Sequence, residues 1–144
     1  MFQNVKTVIV GADSSPTARQ AVVAAAELAR FTAATLHIVT SYSAYQGPNR
    51  TATGGYVKEP HPEKELLQHL EKIGKDHGLK TVLHHSKDAP AEAIVKIADE
   101  IDADLIVVGN KGMKGASRIL GSVPNSVAHN APCSVVIVDT IGRD

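Results

Sequence analysis

The stretch Leu105-Ile106-Val107-Val108-Gly109-Asn110-Lys111-Gly112 is an apolar run that stops on a glycine and opens into a polar segment. Consecutive apolar residues without alternation are what a short strand covered on both faces requires. The chain continues through Met113, Lys114 and Gly115 and arrives at Gly121-Ser122-Val123-Pro124, where Ser122 is a natural N-cap and Pro124 suits the first turn of a helix. A buried strand that feeds such a segment and then a helix brings several backbone N–H groups around one point outside the sheet. An anion fits there, most naturally a phosphate. Lys111 and Lys114 add positive charge beside the glycines, and the helix dipole alone contributes roughly 0.3 to 2 kcal/mol to holding an anion at its N-terminus. An isolated G-x-x-G is better explained as a tight turn; the lysines, Ser122 and Pro124 together shift the balance to phosphate or nucleotide binding.

Working outward, the same strand-then-helix grammar recurs. Val5-Lys6-Thr7-Val8-Ile9-Val10-Gly11 reads as a first buried strand, and Ser14-Ser15 with Pro16 supplies an N-cap and a first helical residue. Ala18, Ala21, Val22, Ala25, Leu28 and Ala29 then form a stripe of small residues at helical spacing, ending near Phe31. Residues 35–42 make a second strand, and 43–62, with Gly47-Pro48, Gly54-Gly55, Pro60 and Pro62, form a long loop or a flap over the site. Residues 63–77 return to helical spacing, with Gly78 placed as a left-handed C-cap. A strand at 80–85, a helix opened by Asp88-Ala89-Pro90, the strand at 105–108, a helix over 122–129 and a strand at 134–138 complete the alternation.

Five strands separated by crossovers of this length pair in parallel. The expected fold class is α/β: a doubly wound three-layer sandwich with a five-stranded parallel sheet of order 3-2-1-4-5 and helices on both faces, formed by residues 1–144 as a single domain. In such a sheet the ligand crevice lies beyond the carboxyl ends of the strands, where strand order reverses. Asp13, Ser41 and Gly109 fall at such ends.

Composition narrows the function. With 15 basic and 15 acidic residues the formal charge is zero, so no global field draws the chain to nucleic acid or to an anionic membrane. The single Cys133 excludes an internal disulfide and follows Pro132 with no evident base, as a small buried side chain would. No apolar run reaches the roughly 18 residues of a membrane span, and the first residues read as a strand rather than a signal peptide, so the expected location is cytoplasmic. Seven histidines include no H-x-x-x-H or H-E-x-x-H pair, and His84 and His85 point to opposite faces of one strand; surface histidines are expected rather than a metal site. The charged residues Glu63, Lys64, Glu65, Glu71, Lys72, Lys75 and Asp76 read as a solvated helix face.

The glycine segment satisfies neither the P-loop pattern nor G-x-G-x-x-G. It resembles the universal stress protein family, whose adenine-nucleotide-binding members carry G-x-x-G, nine residues, then G-[ST]; here eight residues separate Gly112 from Gly121. The resemblance spans the chain, through Gly11-Ala12-Asp13-Ser14-Ser15, Ala91-Glu92-Ala93-Ile94, Ala103-Asp104-Leu105-Ile106-Val107-Val108-Gly109 and Ala131-Pro132-Cys133-Ser134-Val135-Val136-Ile137-Val138. It implies that Gly11 and Asp13 line the adenosine and ribose side and that Ser41 sets backbone groups beside the adenine. It also implies that Val108, Gly109, Asn110, Lys111, Gly112, Met113, Lys114 and Gly115, with Gly121, Ser122, Val123 and Pro124, hold ribose and phosphates. The ligand would be ATP, AMP or a related adenine nucleotide, and the partner a second copy paired along Ser134–Val138. The missing residue before Gly121 either tightens the segment or shifts its amides, and so bears on phosphate count. Asp13 also has a rationale of its own: a carboxylate at a strand end accepts ribose hydroxyls or sits near a phosphate-bound Mg²⁺, and it can equally cap the following helix.

Two other function classes are open to this sequence. One is slow ATP hydrolysis or autophosphorylation at the same site, with Asp13 placing Mg²⁺ and Ser122 or a neighbouring hydroxyl accepting phosphate; no paired carboxylates or catalytic His accompany the motif. The other is a phosphoacceptor receiver domain, which wants an acidic pair after the first strand, an Asp ending the third and a Lys ending the fifth. The chain instead carries Ala12-Asp13, Ser86-Lys87 and Asp139 at those places, a mismatch that disfavours the receiver reading.

Overall fold

A computed structural model describes residues 2–13, 15–41, 62–110 and 122–140. Along them run β1 (Thr7–Gly11), α1 (Pro16–Thr32), β2 (Thr35–Ser41), α2 (Pro62–Asp76), β3 (Thr81–Ser86), α3 (Pro90–Glu100), β4 (Leu105–Gly109), α4 (Val123–Asn130) and β5 (Ser134–Val138). All four strand pairings are parallel, in the order β3-β2-β1-β4-β5. The chain therefore builds outward from β1 to β3, then crosses back to build β4 and β5 on the other side. Strand order reverses between β1 and β4, whose carboxyl ends are Gly11 and Gly109.

Two-residue alternation along the strands divides the interior. Val8, Val10, Leu36, Ile38, Leu105 and Val107 face one side with the buried residues of α1 and α2. Ile9, Val39, Ile106 and Val108 face the other with Ala93, Ile94 and Ala98 of α3 and Val127 of α4. On α1, Ala18, Ala21, Ala25, Ala26 and Ala29 are all buried beside Val22, so little more than methyl groups separates the helix from β1 and β4.

Each turn has a local cause. Ser15 caps α1 by accepting the Ala18 N–H at 3.2 Å, with Pro16 at the first position. Gly78 takes the left-handed conformation expected of it, φ 73°. Ala33 (φ 57°) and Asp102 (φ 55°) do the same after α1 and α3 without being glycine. At the foot of the sheet one carboxylate oxygen of Asp104, Oδ2, accepts the N–H groups of Lys6 (2.8 Å) and Thr7 (3.0 Å), fixing the start of β1 against the start of β4. On the outer face of α2, Lys72 pairs with Asp76 at 2.7 Å and Lys75 with Glu71 at 2.5 Å, the solvated face expected of it.

Element ends differ from the sequence reading by one or two residues. The loop expected over 43–62 yields its last residue to α2, which begins at Pro62; its other residues lie outside the described ones. Ser122 stands before α4 as its N-cap, and the helix continues to Asn130.

Candidate functional site

A cleft of about 680 Å³, counting the space open to solvent, lies over the β1–β4 reversal. Its floor is the strand ends: Gly11, Ala12 and Asp13 after β1, Val39 and Ser41 on β2, Val108 and Gly109 on β4. Its walls are the starts of three helices, through the N-cap Ser15 and Thr17, Ala18 and Ala21 of α1, Pro90 and Ile94 of α3, and Val123 and Pro124 of α4. Parallel topology forces this convergence, because every helix begins where a strand has just ended. Three positive dipole ends therefore border one mainly apolar cavity, and each has a proline at the first or second helical position. Such a site suits a ligand with a flat apolar body and an anionic end.

The polar groups divide their work. Oδ1 of Asp13 accepts the Ser15 N–H at 2.7 Å, so the carboxylate caps the entry to α1 while lining the cleft. The hydroxyls of Ser15 and Thr17 lie 3.0 Å apart. Ser41 is buried, and its Oγ donates to the Asp88 carbonyl oxygen, tying the end of β2 to the corner that leads into α3. That corner is further held by the Asp88 N–H on Ser86 Oγ at 3.1 Å. Ser122 Oγ accepts the Asn125 N–H at 3.4 Å.

Of the residues singled out from sequence, the fold brings Gly11, Asp13, Ser41, Val108, Gly109, Val123 and Pro124 together around the cleft. Ser122 adjoins them as the cap of α4. The Asn110 side chain is buried and committed elsewhere: Nδ2 donates to Asp139 Oδ1 at 2.9 Å, and Oδ1 accepts from Thr140 N at 2.9 Å and Thr140 Oγ1 at 3.2 Å. It braces the ends of β4 and β5. Lys111, Gly112, Met113, Lys114, Gly115 and Gly121 lie outside the described residues. Sequence reading did not single out Ala12, Thr17, Val39, Pro90 or Ile94 as lining residues. Their signal was position, since each stands at a strand end or within the first turns of a helix after one.

The histidines correct an expectation in part: His69 and His129 are exposed as expected, whereas His37, His77, His84 and His85 are half-buried. His37 Nδ1 and His84 Nε2 lie 2.9 Å apart, and His85 Nδ1 lies 2.7 Å from Thr40 Oγ1 on the opposite face. Burial lowers both His37 and His84 below the ordinary 6.5; His37 is pushed down further by His84 and Lys80, while Glu100 partly offsets the shift of His84. Among the described residues no group of three or more His, Cys, Asp or Glu side chains is gathered as a metal site would need. Cys133 packs against the α3/α4 core, and burial together with Asp104 pushes its thiol above the ordinary value. No described helix is long and apolar enough to cross a membrane.

Residues 4–139 match the family model described as "Universal stress protein family". A universal stress protein of Mycobacterium tuberculosis (strain H37Rv) is 37% identical over 142 residues, covering 94% of this chain and 97% of that one. Among solved structures, a universal stress protein in complex with cAMP is 34% identical with a TM-score of 0.78, covering 94% of this chain and 98% of its own. The universal stress protein of Archaeoglobus fulgidus in complex with dAMP is 25% identical with a TM-score of 0.68, covering 93% and 98%. The alternating sheet, the cleft at its reversal and a match over nearly the whole length agree: the chain belongs to the universal stress protein family.

Proposed function

We propose that this protein binds an adenine nucleotide in the cleft over Gly11 and Gly109 and acts in the stress response as a nucleotide sensor, buffer or regulator. The observation that carries the reading is the convergence of three helix N-termini on one largely apolar cavity at the strand-order reversal. Val39, Ile94 and Val108 offer flat apolar contact to a base, while Asp13 stands where a ribose hydroxyl can donate to it. The complexes of similar proteins with cAMP and dAMP support an adenine nucleotide over other anions. Lys111, Gly112, Met113, Lys114, Gly115 and Gly121 enter this reading by sequence alone, as the phosphate-holding half of the site. Asp13 would be the one carboxylate of the proposed set available to a nucleotide-borne Mg²⁺, whose other ligands would be phosphate oxygens and water.

The proposed setting is a cytoplasmic homodimer. β5 is a sheet edge with Ile137 exposed, and an uncovered apolar edge is suited to pairing with a second copy.

A thermal-shift panel of AMP, cyclic AMP, dAMP, ADP and ATP, with and without Mg²⁺, tests the reading. A ligand at about 100 times its dissociation constant adds about 2.7 kcal/mol of stability. No shift with any of them at millimolar concentration overturns it, and a shift that survives Gly112→Val overturns the assignment of the phosphate segment. Steady turnover of Mg-ATP that is lost in Asp13→Ala would replace binding by catalysis.

A further inference from the structure

The pair His37 and His84 stands apart from the cleft and takes no part in the proposed binding. The two nitrogens are 2.9 Å apart and the ring centroids 5.2 Å, with the planes inclined by 23°. That centroid separation is what one ring radius at each end adds to the N···N distance. The rings are therefore set edge to edge, lone pair against N–H, rather than face over face. This is the geometry of a hydrogen bond through a single proton. It is a poor one for a bridging metal ion, because lone pairs aimed at each other leave no room between them for two coordinate bonds of about 2 Å.

Such a bond tolerates a limited number of protons. In the neutral pair one facing nitrogen carries hydrogen and the other accepts it. One added proton leaves that arrangement intact, with the charge on one ring. A second places N–H against N–H, and the bond must break. Among the described residues, the charged groups that act on the pair are Lys80, just before β3, and Glu100, the last residue of α3, the helix packed over β2. Lys80 opposes protonation of His37, and Glu100 favours that of His84.

Placement connects the pair to the cleft. His37, Val39 and Ser41 project from the same face of β2, and His84 pairs in register with Val39. Val39 and Ser41 both line the cleft, and Ser41 holds the Asp88 corner from which Pro90 and α3 start. A break between His37 and His84 thus loosens β3 from β2 one residue pair from the cavity wall.

We propose that His37 and His84 form a proton-gated fastener between β2 and β3 that makes adenine-nucleotide binding weaken as the surroundings acidify. The link to the cleft rests on the function proposed above; the fastener itself does not.

The experiment pairs two readouts over about pH 5 to about pH 8: thermal midpoint of the free protein, and affinity for cyclic AMP by calorimetry, a probe whose phosphodiester and adenine keep their charge across that range. Wild type is compared with His84→Gln, whose amide presents either oxygen or nitrogen to His37 and so removes the conflict, and with His37→Gln. The expected result is a wild-type affinity about tenfold weaker at the acid end, a parallel fall in the midpoint, and profiles in both variants flattened to within about twofold. Indistinguishable midpoint profiles in wild type and both variants overturn the fastener. Midpoint profiles that differ while the affinity profiles stay parallel overturn its coupling to the cleft. If cyclic AMP fails to bind at any pH, the midpoint comparison still decides the fastener and the coupling to the cleft is overturned for this ligand, while the nucleotide reading stands or falls on the full thermal-shift panel.

Discussion

Ile94 fills the space above Gly11 that any larger residue would need for its Cβ: Ile94 Cγ1 lies 3.2 Å from that position and Cδ1 closer still. The glycine is needed for packing, since it lets α3 seat a branched side chain directly on the end of β1. Gly11→Ala must push the tip of Ile94 aside, and the open direction is the cleft. We expect a loss of about 1 to 3 kcal/mol in urea unfolding, together with weaker nucleotide binding. Adding Ile94→Val to Gly11→Ala removes Cδ1 and should recover most of both. Recovery of stability without affinity would mean that Gly11 meets the ligand directly.

Asp104 offers a contrast at the opposite end of the sheet. Its Oδ2 accepts the backbone N–H groups of Lys6 and Thr7. Asp104→Ala should cost about 1 to 2 kcal/mol, and because the cleft lies beyond the other ends of the strands, calorimetry should find nucleotide affinity within about twofold of wild type.

Asp13 separates charge from capping. Asp13→Asn keeps an oxygen for the Ser15 N–H and should retain stability to within about 0.5 kcal/mol. If the carboxylate receives a ribose hydroxyl, affinity should nonetheless fall about tenfold or more. Asp13→Ala should lose affinity and, in addition, about 1 kcal/mol of stability. Equal affinity in wild type and Asp13→Asn would assign the residue to the helix alone.

Acid stability follows from the two depressed histidines. Both folded-state values lie below the ordinary 6.5, so as pH falls the unfolded chain binds these protons before the folded one. The pair's contribution is complete above about pH 6.5 and is lost as pH falls through the folded values. Urea midpoints should therefore decline from about pH 6.5 downward, and less so in His37→Gln. A midpoint rising with acid over that range would contradict the assignment.

Cys133 should be slow to alkylate. Its raised value keeps it protonated at neutral pH, and it is packed against the α3/α4 core. Its rate with iodoacetamide should sit several-fold below that of free cysteine at about pH 7.5 and gain on it only in more alkaline buffer.

Local chemistry made most of the fold readable. Unbroken, β-branched apolar runs such as Leu105-Ile106-Val107-Val108 suit strands buried on both faces, and Pro16, Pro90 and Gly78 mark helix ends where a proline or a left-handed turn is required. The same logic hid Ala33 and Asp102, which take positive φ without the residue type that signals it. Register hid the rest. His37 and His84 are 47 positions apart and meet only because β2 and β3 pair as they do. In sequence Asn110 belongs to the glycine segment, and only the arrival of Asp139 and Thr140 beside it gives its side chain partners. At the cleft, strand ends announced Gly11, Asp13 and Gly109, whereas Thr17 and Ile94 enter through helices whose rotation no short motif records.

The composition of the cleft wall sets how binding is distributed between protein and ligand. Gly11, Ala12, Ala18, Ala21, Pro90, Gly109 and Pro124 have no rotamers to lose, and Val39, Ile94, Val108 and Val123 are stiff at the branch carbon. Among the described lining residues, a molecule that enters therefore has few side-chain rotamers to immobilise, chiefly those of Asp13, Ser15, Thr17 and Ser41. For the proposed nucleotide, selectivity among related ligands then falls more to the ligand's own torsions and sugar pucker than to rearrangement of these side chains.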